Sequence, residues 1–545
     1  MVIHGQFVAI RERRIFPAAV TILNGLIQNI VEIEDAPQLF ILPGFVDAHV
    51  HIESSLLAPS EFARMAVTHG TLATISDPHE IANVLGLKGV EYMIENGKQV
   101  PFYFNFGAPS CVPATKFETA GAILSAAEVD ALLQNPEILY LSEMMNFPGV
   151  IFDDAEVHEK IKSAHRHGKP IDGHAPGLSG NHLRKYVSAG ISTDHECFTL
   201  EEALEKINLG MKILIREGSA ARNFDTLIPL MASYANKLMF CSDDKHPDSL
   251  LLGHINQLAA RAIGLGYDLY DVLQVACLNP VAHYGMKHGT LQLGESADFI
   301  LVNNLQNFEV EQAYVKGVLV AHKGKCMFPS TAVVGLNQFL AKPIIGSDLN
   351  YMPQIMEPVI VCIDGQLITD TLNIAAQMLT PENDLLKLVV LNRYAIAPPA
   401  IAYIKNFGIK NGAIAGSVAH DSHNIIAVGS SDDHICKAIN LVISAKGALA
   451  ACNDTAEKVL PLPLAGLMSD QEAWQVAEKY IELDNFSKNV LGSNLRAPFM
   501  SLSFMALLVI PHLKLSDLGL FDGDTFEFVK PKLINRRFIK PNDLI

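Results

Sequence analysis

Along the first 40 residues, apolar positions occur in short runs or alternate with polar ones, as in GQFVAI and AAVTILNGLIQNIVEIE, and Gly, Asn and Pro interrupt them. This pattern predicts small antiparallel strands. From Leu42 to about Tyr284 the pattern changes, with short apolar strands followed by helical segments: TLATISD, then IANVLGLKGVEYMIENG, then FYFNFG. Repeated βα units predict a parallel sheet, and their extent of roughly 240 residues is close to the ~250 typical of a (β/α)8 barrel. After His288, GTLQLGESADFILVNNL and AYVKGVLVAHKGK return to apolar runs separated by glycine turns. Strands that stop before a barrel and resume after it predict one small composite domain. Further runs, including LLKLVVLNRY, AINLVISAKGALAACN and MALLVIPHLKL, follow from about residue 345. The expected fold is therefore α/β. It has a (β/α)8 TIM-like barrel at 42–287, a β-sandwich assembled from 1–41 and 288–344, and a C-terminal α+β domain at 345–545.

Composition narrows the function classes. A chain of 545 residues is too long for one ordinary core, and 49% hydrophobic with 18% charged residues suits a core-rich enzyme rather than a disordered chain. The formal net charge of -17 repels polyanions, so nucleic acid is not an expected partner. Eight scattered cysteines without a CxxC pair predict reduced, mostly buried thiols, with neither a disulfide framework nor a thiolate zinc site. The N-terminal MVIHGQFVAIRERRIFPAAV lacks the order of a signal peptide, and no charge-free apolar run reaches ~18 residues, so a cytoplasmic protein without membrane partners is expected.

The segment LPGFVDAHVHIE, residues 42–53, carries the most chemical information. A strand sends alternate side chains to one face, so His49 and His51 can bind one cation together. An isolated HxH is more often two histidines in a half-buried strand. Four further residues shift the balance because each ends or follows a short apolar strand: Glu143 in ILYLSEMM, His174 in PIDGHAPG, His195 in ISTDHECF and Asp243 in LMFCSDD. Strand ends are where a barrel places its active site.

This ordered set, with GTLQLGESADFILV behind it, resembles the amidohydrolase superfamily. Within that superfamily DAHVHIESSLLAPSEFA, SDPHEIANVLG, GHAPGLSG, TDHECFT and CSDDKHP are similar to the adenine deaminase family, and GSVAHDSHNIIAVG and LPLPLAGLMSD extend the similarity over nearly the whole chain. The resemblance implies hydrolytic deamination of adenine to hypoxanthine and ammonia, in purine salvage, at two divalent metal ions. Mn2+ or Fe2+ is the expected metal, and Zn2+ suits the same imidazole and carboxylate donors. It further implies that His49, His51 and Asp243 hold one metal, His174 and His195 the second, and that Glu143 bridges them where many relatives use a carboxylated lysine. Free adenine and a second copy of the chain in a homodimer are the expected partners. The HxE-plus-PCxxC combination of mononuclear zinc deaminases is not present, since the chain has no PCxxC. A cyclic-amide hydrolase on the same barrel is the rival enzyme, disfavoured by the lack of a bridging lysine, and a non-catalytic scaffold is disfavoured by the full ligand set.

Two cations would lower the pKa of a shared water toward neutrality and supply hydroxide to attack C6 of adenine. Asp243 is the candidate to move that water's proton to the departing amine. His79 and Glu80 are the catalytic candidates to protonate ring N1. The alternative is that Asp77 and His79 cap the following helix. Glu53, Asp77 and His79 are candidate substrate-binding residues, and Glu53 and Asp47 could also orient ligand imidazoles. In AHDSHN, His420, Asp421 and His423 are read as a polar strand-to-strand corner, with a second metal site or a wall of the main pocket as alternatives. His158, His165 and His167 are expected on a solvated helix face.

Overall fold

The computed structural model describes residues 1–529. Eight strands run parallel in two groups, Phe45–Val50, Thr71–Ser76, Tyr103–Ala108, Ile138–Met144 and Ile171–Gly173 in one, and Thr193–Asp194, Lys212–Arg216 and Leu238–Cys241 in the other. Parallel bridges Ile171–Ile191 and Val50–Asp243 join the groups at both edges, so the curled sheet closes on itself. All six residues of each of the first two strands are buried, as expected where helices cover a parallel sheet. This is why these strands read as apolar runs and not as alternations.

The opposite pattern marks the flanks. Arg14–Leu23 alternates between buried and half-exposed positions, and it belongs to an eight-stranded sheet drawn from both ends of the barrel. Phe40–Pro43 is the seam: it pairs in parallel with Val2–Ala9 and antiparallel with Phe299–Val302. Phe7, Ala9, Phe299 and Leu301 pack in a core of the sheet's own, while Val8, Ile10, Ile300 and Val302 join the central core. Neighbouring residues thus serve opposite faces. The seam runs directly into the first barrel strand and fixes where the HxH pair emerges.

A second eight-stranded sheet, predominantly antiparallel, lies between Met356 and Pro461. Val389, Ala413, Ala415, Ile425 and Ala427 face the helix Asp432–Ser444 through Ile435, Ile439 and Val442. Leu388, Ile414, Ile426 and Val428 face the other way, into the core shared with the barrel. A three-stranded sheet, Leu513–Ser516, Gly519–Asp522 and Glu527–Phe528, closes the described chain. None of the eight cysteines forms a disulfide, and all except Cys326 are buried. Among the described residues no helix is long and apolar enough to cross a membrane.

Candidate metal centre and substrate cavity

The pleat of Phe45–Val50 delivers His49, and His51 follows one residue beyond the strand. Their Nε2 atoms lie 3.3 Å apart. The backbone N–H of Asp243 donates to the carbonyl of His49 at 2.9 Å, which brings the end of the eighth strand to the first. Asp243 Oδ1 is then 3.4 Å from His49 Nε2 and 3.2 Å from His51 Nε2. Asp243 reaches this place in the left-handed region, with φ 54°, a conformation Asp tolerates better than most residues.

From the fourth strand, Glu143 directs Oε1 toward His51 at 3.2 Å and Oε2 toward His174 at 2.8 Å and His195 at 3.3 Å. Gly173 allows the fifth and sixth strands to meet, since a Cβ there would lie 2.4 Å from the carbonyl oxygen of Thr193. The Tyr186 hydroxyl accepts from the His174 N–H at 3.0 Å and donates to the Met144 carbonyl at 2.7 Å, tying strand four to strand five.

The six residues come together, all of them buried. Two groups with ligand atoms within 4.8 Å of one another are His49, His195 and Asp243, and Glu143, His174 and His195. The donor chemistry fits cations. His51 Nδ1 lies 3.1 Å from the carbonyl oxygen of Asp77, which can only accept, so Nδ1 carries the proton and Nε2 presents a lone pair to the cluster. Two imidazole nitrogens and a carboxylate oxygen facing one another within 3.4 Å are best satisfied by a shared positive ion. The cluster could hold a metal.

Carboxylate charge is controlled by residues the motifs did not reveal. Arg216, at the end of the seventh strand, is 2.6 Å from Asp243 Oδ2 and pairs with Glu196 through both terminal nitrogens. Burial pushes the Asp243 pKa up, but Arg216 and the neighbouring histidines outweigh it and hold the carboxyl well below its usual range. Glu196 directly follows His195, and Asp244 directly follows Asp243; their adjacency to predicted ligands was the signal available in sequence. Nothing local marked Arg216.

His79 and Glu80 open the helix His79–Leu85 after the second strand and line the cavity. His79 Nδ1 is 3.0 Å from Asp77 Oδ2, and the His79 N–H donates to Asp77 Oδ1 at 3.1 Å, so the two readings of this motif coexist: Asp77 secures the helix start, and His79 faces the site. Glu53 and Asp77 do not line the cavity. Glu53 accepts from the N–H of Ile81 at 3.1 Å, and burial pushes its carboxyl up to about 7. This contact braces the first turn of the helix. Asp47 accepts from the Ser242 N–H at 2.9 Å and lies 2.8 Å from His254 Nε2, which locks the first strand to the eighth.

AHDSHN is indeed the corner between Ala413–Gly416 and Ile425–Gly429, but it is also a wall of the main pocket, which changes the preferred reading. His423 Nε2 contacts Glu80, and His420 Nδ1 lies 2.5 Å from Glu80 Oε1. Burial raises the Glu80 pKa, yet His420, His423 and His79 together hold it well below the ordinary carboxylate value. Leu367, Phe504 and Leu507 add apolar side chains to the lining of the same cavity. His158, His165 and His167 sit on or just after the helix Ala155–Arg166, outside this lining.

The family model described as amidohydrolase family matches residues 40–320, and that described as adenine deaminase C-terminal domain matches residues 366–527. An adenine deaminase from Sulfurovum sp. is 53% identical over 97% of this chain and 99% of its own. One from Salinibacter ruber is 51% identical over 97% and 98%, and one from Methanosarcina mazei is 51% identical over 95% and 97%.

Proposed function

Since the chain belongs to the adenine deaminase family of amidohydrolases, we propose that the buried His, Glu and Asp cluster is its active centre and holds two divalent metal ions, Mn2+ or Fe2+ before Zn2+. The protein is an enzyme that deaminates adenine to hypoxanthine and ammonia. The observation that carries the assignment of the site is the convergence of His49, His51, Glu143, His174, His195 and Asp243 in one buried cluster, all but His49 lining the same cavity.

When bound, the ions would lower the pKa of water and supply the nucleophile at neutral pH. His49, His51 and Asp243 would hold one ion and His174 and His195 the other, with Glu143 between them. Asp243, kept anionic by Arg216, accepts the proton of the attacking water and passes it to the leaving amine. His79, whose protonated form the carboxylates of Asp77 and Glu80 favour, stands to deliver a proton to ring N1 as the ring gains electron density, with Glu80, gripped by His420 and His423, beside it. The apolar wall of Leu367, Phe504 and Leu507 excludes water from the purine face.

The same reading divides the chain near residues 41, 287 and 344 into a composite β-sandwich, the barrel and a C-terminal α+β domain. It also takes the protein to be a cytoplasmic homodimer; light scattering tests the assembly. The deciding experiment incubates metal-reconstituted protein with adenine, adenosine, cytosine and dihydrouracil and records ammonia. Release from adenine alone is expected. Release from adenosine but not adenine would overturn the free-base assignment.

A further inference from the structure

Three apolar side chains that line the cavity come from separate places in the chain. Leu367 lies in the turn between the strands Met356–Cys362 and Thr369–Ala375, Phe504 opens the short helical turn Phe504–Ala506, and Leu507 follows it. None of them belongs to a strand, so no sheet register sets them against one another. Their main chains meet at one side chain. Lys514, fully buried on the strand Leu513–Ser516, donates to the carbonyl of Leu367 at 2.6 Å and to that of Phe504 at 3.0 Å. The Phe504 carbonyl also accepts from the N–H of Leu507 at 3.2 Å. Among the described residues Lys514 is the one donor to the Leu367 carbonyl.

No carboxylate pairs with Lys514 among the described residues, and the titratable group that acts on it is the buried thiol of Cys362. An amino group buried in this way costs free energy that an apolar side chain of similar length would not. What it contributes is position, because two carbonyls from distant segments are fixed about one nitrogen. On the deaminase reading above, we propose that Lys514 is a positioning residue for the substrate: it holds the backbones of Leu367 and Phe504 together, and that of Leu507 through Phe504, so that their side chains form the apolar surface on which the purine packs. Lys514 does not itself line the cavity. Apolar packing on a substrate face is present in the ground state and the transition state alike, so its loss raises KM and leaves kcat nearly unchanged. The Phe504 ring also stacks on His420, with centroids 4.9 Å apart at 30°. His420 is held separately by Glu80, with Nδ1 2.5 Å from Oε1, so the groups near ring N1 keep their places when Phe504 shifts.

Lys514→Met keeps an unbranched apolar stem and removes the donors. With metal-loaded proteins at one fixed pH, KM for adenine is expected to rise on the order of 10-fold in K514M, while kcat changes by less than about threefold. The same substitution is then made in an L367A/F504A background, which lacks most of the surface that Lys514 places. There it should change KM by less than about twofold, because a residue acting through those side chains has nothing left to act on. An unchanged KM in K514M, a fall in kcat exceeding the rise in KM, or an equal rise of KM in both backgrounds would overturn the proposal and leave the deaminase reading standing. Failure of the wild type to release ammonia from adenine would instead sink that reading. Where thermal melts show K514M unfolded, Lys514→Gln takes its place, its amide ending one atom short of the Lys514 nitrogen, and the same comparison of KM in the two backgrounds decides.

Discussion

Asp243 is shared between the cluster and a buried cation. Its Oδ1 faces His49 and His51 while its Oδ2 meets Arg216. A group placed to take and return a proton needs that arrangement, because the guanidinium fixes the carboxylate while the histidines define its working side. Asp243→Asn is expected to lower kcat at least ~10²-fold with KM little changed, while the thermal transition shows the fold retained. Near-normal turnover would remove Asp243 from the proton path. At this scale the sequence was most readable where geometry is local. His49 and His51 are visible as a pair because a strand's period is two, and Glu143, His174, His195 and Asp243 because each ends an apolar run. Arg216 and Glu196 were not, because their importance lies in one long-range ion pair. Asp421 and His423 could be read as a pocket wall only as an alternative to a polar corner, because about 340 residues separate His423 from Glu80 and His423 holds a left-handed backbone, φ 55°, that a sequence does not display.

Among the elements, the strand Leu513–Ser516 does more than complete a small sheet. It carries Lys514, fully buried, whose ammonium donates to the carbonyls of Leu367 at 2.6 Å and Phe504 at 3.0 Å, and the side chains of both those residues line the cavity. Burial pushes the Lys514 pKa down to about 7. Between that value and the ordinary 10.5, the native chain holds one proton fewer than the unfolded chain, so Lys514 makes stability rise with pH across that window. Below about 7 both states are charged, and the burial penalty is present in full. Lys514→Met should remove this climb: on raising the pH from 7 toward 10, the wild type should gain on the variant by up to ~1.4 kcal/mol per pH unit, measured as parallel thermal melts. A constant gap would refute the assignment. The strands themselves were legible, since buried parallel strands and half-buried antiparallel ones leave different apolar patterns. Their pairing was not, since Phe40–Pro43 joins Phe299–Val302 across the whole barrel and no local periodicity specifies that partner.

At the scale of the molecule, metal binding and folding are linked. On the proposed assignment the ligands, drawn from strands one, four, five and six and from the end of strand eight, are assembled only in the native barrel, so ions would bind the folded chain and stabilise it by mass action, ~2.7 kcal/mol at a hundredfold excess over Kd. Chelation should abolish ammonia release and lower the melting temperature by several degrees, both restored by Mn2+ or Fe2+; a melting curve indifferent to chelator would argue against the metal assignment. The division of the cavity between barrel and C-terminal domain has its own consequence, for the order of synthesis. The last barrel ligand, Asp243, leaves the ribosome long before Phe504 and Leu507, an interval on the order of 10–50 s of elongation. Throughout that interval a nascent chain carries a complete set of ligands with no wall over them. A premature stop codon between the strands that follow the barrel and Phe504 therefore leaves the ligand set without Phe504 and Leu507, and such alleles should be null for growth on adenine even where the truncated product accumulates.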